Sequence, residues 1–193
     1  MNNKKIPRKE FFTKSCQCGM AAMAGFLFLS TDSYSRNENR YDQSELDKLK
    51  RRISFSQQRF ADLIKHLDNY LDKEKRLQLY GKVGESCASV NEDAVAAFKG
   101  NLKGILDEQL KQNWLNDYNL DEEKGELKLA GKPKEECGCP LVKKGLTPVE
   151  FCNCSVGYMK KFYQIITEKE IEVSLNGSIL MGDDHCSFTI KFT

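Results

Sequence analysis

The chain has no apolar run long enough to cross a bilayer, no concentrated basic surface, no phosphate-cradling glycine-rich loop and no internal repeat or low-complexity tract. A spanning helix needs about 20 apolar residues, so an integral bundle is excluded. Thirty basic residues stand against 28 acidic ones, which removes the electrostatic basis for a nucleic-acid partner, because phosphate binding draws on clustered positive charge. The serines, histidines and aspartates form no nucleophile-elbow pattern, so a hydrolase triad of that kind has no sequence support. At 193 residues the chain is long enough for one sizeable core and too short for two comfortable ones.

Part of the small positive excess lies at the start, where Lys4, Lys5, Arg8, Lys9 and Lys14 face only Glu10. This basic stretch runs into the apolar segment Gly19 to Leu29, GMAAMAGFLFL, which has the length of a signal-peptide core. The piece RKEFFTK resembles a twin-arginine export motif, with Arg8-Lys9 where two arginines are usual. No A-x-A cleavage site follows, and Cys16 and Cys18 precede the apolar core, so they do not resemble a lipoprotein cysteine. Residues 1–35 therefore read as signal and linker and 36–193 as one domain. The expectation is an exported bacterial protein, periplasmic or in the cell envelope, that meets the export machinery through this segment.

Asp42 followed three residues later by Glu45 is a capping-box pattern. Leu46, Leu49, Ile53, Phe60, Ile64, Leu67 and Leu71 then recur with helical period. A second helix is expected over Lys73 to Ser89, its small residues allowing close packing, and a third from an Asn91 cap through Leu110. Gly100 and Gly104 in that third helix suggest tight helix packing. Asn116 to Lys124 reads as a polar turn, and Glu126 to Ala130 alternates like a short strand. Ser155 to Thr167 reads as a helix, followed by alternating strands from Ile171 and Ser187 around the turn Met181-Gly-Asp-Asp. The class is α+β: N-terminal helices packed on a small antiparallel sheet, ending helix, strand, turn, strand.

The chemistry lies in the cysteines. Cys137 and Cys139 are followed, after twelve residues, by Cys152 and Cys154. The spacing C-x-C-x12-C-x-C sets two pairs of soft ligands at the ends of a loop that Pro140, Gly145 and Pro148 bend. Four thiolates suit a tetrahedral ion, zinc first, with iron or an iron–sulfur cluster as the other occupants. Cys87, His185 and Cys186 are candidate additional ligands, against the plainer reading of Cys186 as a small core residue and His185 as a turn residue. Two disulfides in an oxidising compartment, or a thiol activated by the helix that opens near Cys154, compete with metal. The adjacent pairs Glu135-Glu136 and Asp183-Asp184 read as solvated turns.

The elements CGCP, FCNCSVGYMKKFY and EIEVSLNGSILMGDDHCSFTI, ending in the strand Cys186-Ser-Phe-Thr-Ile, resemble the proteins grouped with L-2-amino-thiazoline-4-carboxylate hydrolase and the vinyl-4-reductase-type ligand-binding domains. Gly84-Glu-Ser-Cys87-Ala88 matches a helical G-x-x-C-A element of such proteins. The resemblance implies helices on an antiparallel sheet with a cysteine-lined pocket between them. It implies either binding of a small molecule or hydrolysis of a non-peptide C–N bond in a small cyclic amidine. Where vinyl-4-reductase-type domains often carry a further cysteine on the penultimate strand, Ser178 or a neighbour stands here, so the Cys152-Asn-Cys154 pair would have to supply the missing ligand.

Overall fold

The computed structural model describes residues 43–67, 69–90, 92–112 and 114–192. The expected signal and linker, Cys16 and Cys18, and the expected capping residues Asp42 and Asn91 lie outside the described residues. The described chain is α+β. Helices α1 (Gln43–Leu67), α2 (Lys73–Ser89), α3 (Glu92–Ala96) and α4 (Leu102–Lys111) precede strands β1 (Leu115–Asp121) and β2 (Glu126–Gly131). Helix α5 (Asn153–Thr167) then leads to β3 (Ile171–Gly177) and β4 (Ser187–Phe192). The sheet order is β1-β2-β4-β3, every neighbouring pair antiparallel.

Alternation decides which sheet face is covered. Leu127 and Leu129 on β2 and Phe188 and Ile190 on β4 are buried while Lys128 and Lys191 between and beyond them face solvent. Phe162, Tyr163 and Ile166 of α5, with Ile105 and Leu106 of α4 and Val95 of α3, close over that face. Among the described residues no helix is long and apolar enough to cross a membrane.

Two local expectations give way to the structure. The third helix is broken between α3 and α4, because Gly100 takes φ +71° and Asn101 starts a new helix by accepting a hydrogen bond from the Gly104 amide at 3.0 Å. Glycine meets no steric penalty at positive φ, so Gly100 marks a turn, which its amide ties to α5 by donating to the Ile166 carbonyl at 2.8 Å; a Cβ added at Gly100 or Gly104 would meet no other helix. The segment from Leu115 is a strand rather than a polar turn. Its residues LNDYNLD hide the pattern because β1 is an edge strand, paired only with β2 and largely exposed.

The small residues of α2 let it cross α5 at close range. A Cβ added at Gly84 would stand 1.8 Å from the Cys154 carbonyl oxygen, and one at Gly157 of α5 would stand 2.0 Å from the Gly81 carbonyl oxygen. Only hydrogens at these positions let the two backbones cross at this distance. Asn153 secures the crossing by donating its side-chain amide to the Leu77 carbonyl.

Candidate functional site

A second, smaller core of Ile64, Tyr80, Val142 and Phe151, with Phe60, Leu67, Cys137, Cys154 and Leu180 against it, builds the cysteine region. Pro148 ends the loop and a 3-10 turn, Val149–Cys152, buries Phe151 before α5 begins. The Phe151 ring meets Phe60 of α1 edge-on at 4.9 Å between centroids and Tyr80 of α2 at 5.2 Å. Gln57 of α1 donates to the Pro140 carbonyl at 2.9 Å, tying down the other end of the same loop. The loop that carries both cysteine pairs is thus anchored by packing from two helices.

Beneath it lies a cavity of about 110 Å³. Cys137, Cys139, Cys152, Cys154 and Cys186 all contribute to its wall, with Val142, Phe151, Leu175 and Leu180 supplying apolar surface. The four cysteines of the spacing motif are therefore brought together, joined by Cys186 from the entry to β4. Cys186 also packs against the main core, so the core reading and the site reading of this residue are compatible. Cys87 is not in the wall; it sits on α2, within electrostatic reach of Cys154 and Tyr158. His185 is not in the wall either, and its Nδ1 is 2.5 Å from an Asp184 carboxylate oxygen. Glu135 and Glu136 are exposed, as expected of a solvated turn. None of Cys87, Cys137, Cys139, Cys152, Cys154 and Cys186 is joined in a disulfide.

Burial sets the chemistry of these thiols. Desolvation pushes Cys137 and Cys154 up to about 12, with neighbouring thiols adding to the shift. Cys152 and Cys186 are raised by the same cause, because removing solvent penalises the charged form. For Cys152 a hydrogen bond with Ser178 acts in the opposite direction, and for Cys186 the Ile179 backbone and Lys134 do. Among the described residues no three histidine, cysteine, aspartate or glutamate side chains are grouped closely enough to hold an ion as they stand.

Ser178 is the site residue with the faintest sequence signal. It is buried, and its hydroxyl stands 3.2 Å from the Cys152 sulfur while accepting from the Met181 amide at 3.2 Å. Asp183 closes the loop by accepting from the Ser178 amide at 2.8 Å. The cue was Ser178 four residues before Gly182, which takes φ +109°, a turn in which a hydroxyl caps the chain. Ser178→Ala would take the hydroxyl from the Cys152 thiol, whereas the Met181 amide would keep the Ser178 carbonyl 2.9 Å away. A loss of about 1–2 kcal/mol is expected, measured by chemical denaturation with the m-value unchanged.

Residues 101–193 match a family of unknown function (DUF6144). No curated protein matches the chain. The fold is similar to that of a trafficking protein particle complex subunit 3 from Naegleria fowleri, solved covalently bound to palmitic acid. The TM-score is 0.50 at 15% identity, over 75% of this chain and 96% of that one. A weaker likeness joins it to the phenol-responsive sensory domain of the transcription activator PoxR, solved with phenol (TM-score 0.48, 14% identity, 70% of this chain and 74% of that). A vinyl-4-reductase family protein from Methanocaldococcus jannaschii is weakly similar over the whole chain (TM-score 0.39, 12% identity, 100% and 99%).

Proposed function

We propose that the chain is a binding domain whose cysteine-lined cavity takes a soft metal ion, zinc first, through Cys137, Cys139, Cys152 and Cys154, with Cys186 as the adjoining ligand. The observation that carries this reading is the convergence of five thiols from three chain segments on one cavity of about 110 Å³. Pockets for drug-sized organic ligands measure about 300–1,000 Å³, so this volume suits an ion or a very small molecule. Thiolates are soft donors matched to zinc, and a bound ion would supply the positive charge that makes their ionisation favourable in a desolvated site. Zinc held by the four loop cysteines would cross-link the start of the loop to the start of α5, a structural contribution that needs no open coordination position.

A thiol-dependent hydrolase is the competing reading. A catalytic cysteine must be a thiolate, and a thiol pushed up to about 12, as Cys137 and Cys154 are, is ionised in only about one molecule in 10⁵ at pH 7. That chemistry favours ligands over nucleophiles.

The test is elemental analysis of gently purified protein with a thiol count under denaturing conditions. About one zinc per chain is expected, with the thiols recovered after unfolding, and Cys152→Ser should lower both zinc content and stability. A metal-free protein with few thiols would replace this reading with disulfides. A metal-free protein with its thiols intact, and a folded but inactive Cys152→Ser, would replace it with a reactive cysteine.

A further inference from the structure

Only the second half of α1 is built into the domain. From Phe60 onward its apolar seam is covered, with Ala61 and Ile64 buried and Phe60 against Phe151. From Gln43 to Ser56 nearly every residue is exposed, and the same seam continues uncovered through Leu46, Leu49 and Ile53, which are 37%, 56% and 40% exposed. At 100° per residue these three side chains share one face. Lys50 flanks it on one side and Arg52 and Arg59 on the other. Residues 43–59 carry five basic side chains, Lys48, Lys50, Arg51, Arg52 and Arg59, against Glu45 and Asp47, a local excess that the near-even charge of the whole chain conceals.

The geometry points to an anionic membrane surface as the partner of this half-helix: α1 lies in the headgroup plane, with Leu46, Leu49 and Ile53 inserted and the basic flanks against lipid phosphates. An amphipathic helix with basic residues beside its apolar face binds such surfaces by the two contributions together. A second copy of the chain would set basic flanks against basic flanks, whereas anionic headgroups neutralise them. None of this depends on the cysteine cavity or on a metal.

The experiment is hydrogen exchange of the full chain read by mass spectrometry, alone, with phosphatidylcholine vesicles, and with vesicles containing phosphatidylglycerol. Exchange in residues 43–56 is expected to slow by about tenfold or more with the anionic vesicles only. In L49E/I53E the protection should vanish while residues 60–192 keep their own exchange rates, which separates loss of lipid contact from loss of folding. Unchanged exchange with anionic vesicles overturns the proposal. So does equal slowing by both vesicle types, which would assign the effect to the apolar segment Gly19 to Leu29 alone. Slowing that grows with protein concentration in the absence of lipid also overturns it, in favour of a second copy.

Discussion

Gly84→Ala is expected to lower the midpoint of thermal unfolding by roughly 5–10 °C, and Gly81→Ala, three residues earlier on the same helix, to leave it unchanged or raise it. The difference lies in what each new methyl group meets. At Gly84 the nearest atom is the Cys154 carbonyl oxygen at 1.8 Å, with the Tyr158 amide nitrogen at 2.7 Å. These are backbone atoms of a packed helix and cannot rotate away. Helices α2 and α5 must separate; overpacking typically costs about 1–3 kcal/mol and occasionally more, and a clash this close with rigid backbone belongs at the upper end, about 3–4 kcal/mol. Alanine's better helix propensity returns about 1 kcal/mol, leaving a net loss near 2–3 kcal/mol, which for a protein of this size is worth about 2–4 °C per kcal/mol. At Gly81 the nearest atom is the Asn153 side-chain nitrogen at 3.6 Å, an ordinary contact, so the propensity gain stands alone. Differential scanning calorimetry of the two variants decides the matter; equal losses in both would mean that the crossing is not the determinant. Because the clash is with Cys154 itself, the Gly84 variant should also hold the proposed zinc less tightly.

If zinc fills the cavity as proposed, removing it should lower the unfolding midpoint by about 10 °C near neutral pH, the effect of an ion present at about a thousand times its dissociation constant. The gap between loaded and stripped protein should widen as pH rises. In the stripped protein, Cys137 and Cys154 hold their protons up to about 12, against 9.0 for an exposed thiol. Below pH 9 the folded and unfolded chains are both protonated there and these groups leave stability untouched. Above it the unfolded chain releases protons that the folded chain retains, so stability falls as pH climbs from 9 toward 12. In the loaded protein the thiols have already given up their protons to the ion. Affinity then rises by about tenfold per pH unit for each thiol displaced while the pH lies below its value. Chelator titrations at pH 6, 7 and 8, with thermal melts of both forms up to pH 10, would show this. A midpoint difference that does not change with pH would rule out thiolate ligation.

The class of the fold was legible because its core elements keep their period. The α5 pattern Met159, Phe162, Tyr163, Ile166 and the alternation on β2, β3 and β4 report burial directly, and all lie where the main core forms. Where the pattern failed, a local feature outweighed it. β1 sits at an edge and has little apolar surface to display. Gly100 has a backbone role that spacing alone does not separate from helix packing. The long periodicity of α1 marks one apolar face, yet half of that face is exposed, because periodicity reports that a face is apolar and not what covers it. In the site, the C-x-C pairs named four of the five sulfur residues of the wall. Cys186 and Ser178 joined them through tertiary pairing of β3 with β4, which no local spacing contains.

That pairing bears on how the protein comes into being. β4 is the last strand in sequence but an inner strand of the sheet, seated between β2 and β3, and it brings Cys186 with it. A growing chain can form α1, α2 and the cysteine loop well before β4 leaves the ribosome, yet it has neither a closed sheet nor a complete thiol wall until that strand inserts. Contacts so distant in sequence form slowly, so Cys137, Cys139, Cys152 and Cys154 pass through an interval in which they are exposed and unshielded. Oxidants and stray metals present during synthesis would therefore act on this protein more strongly than the same agents added once it is folded.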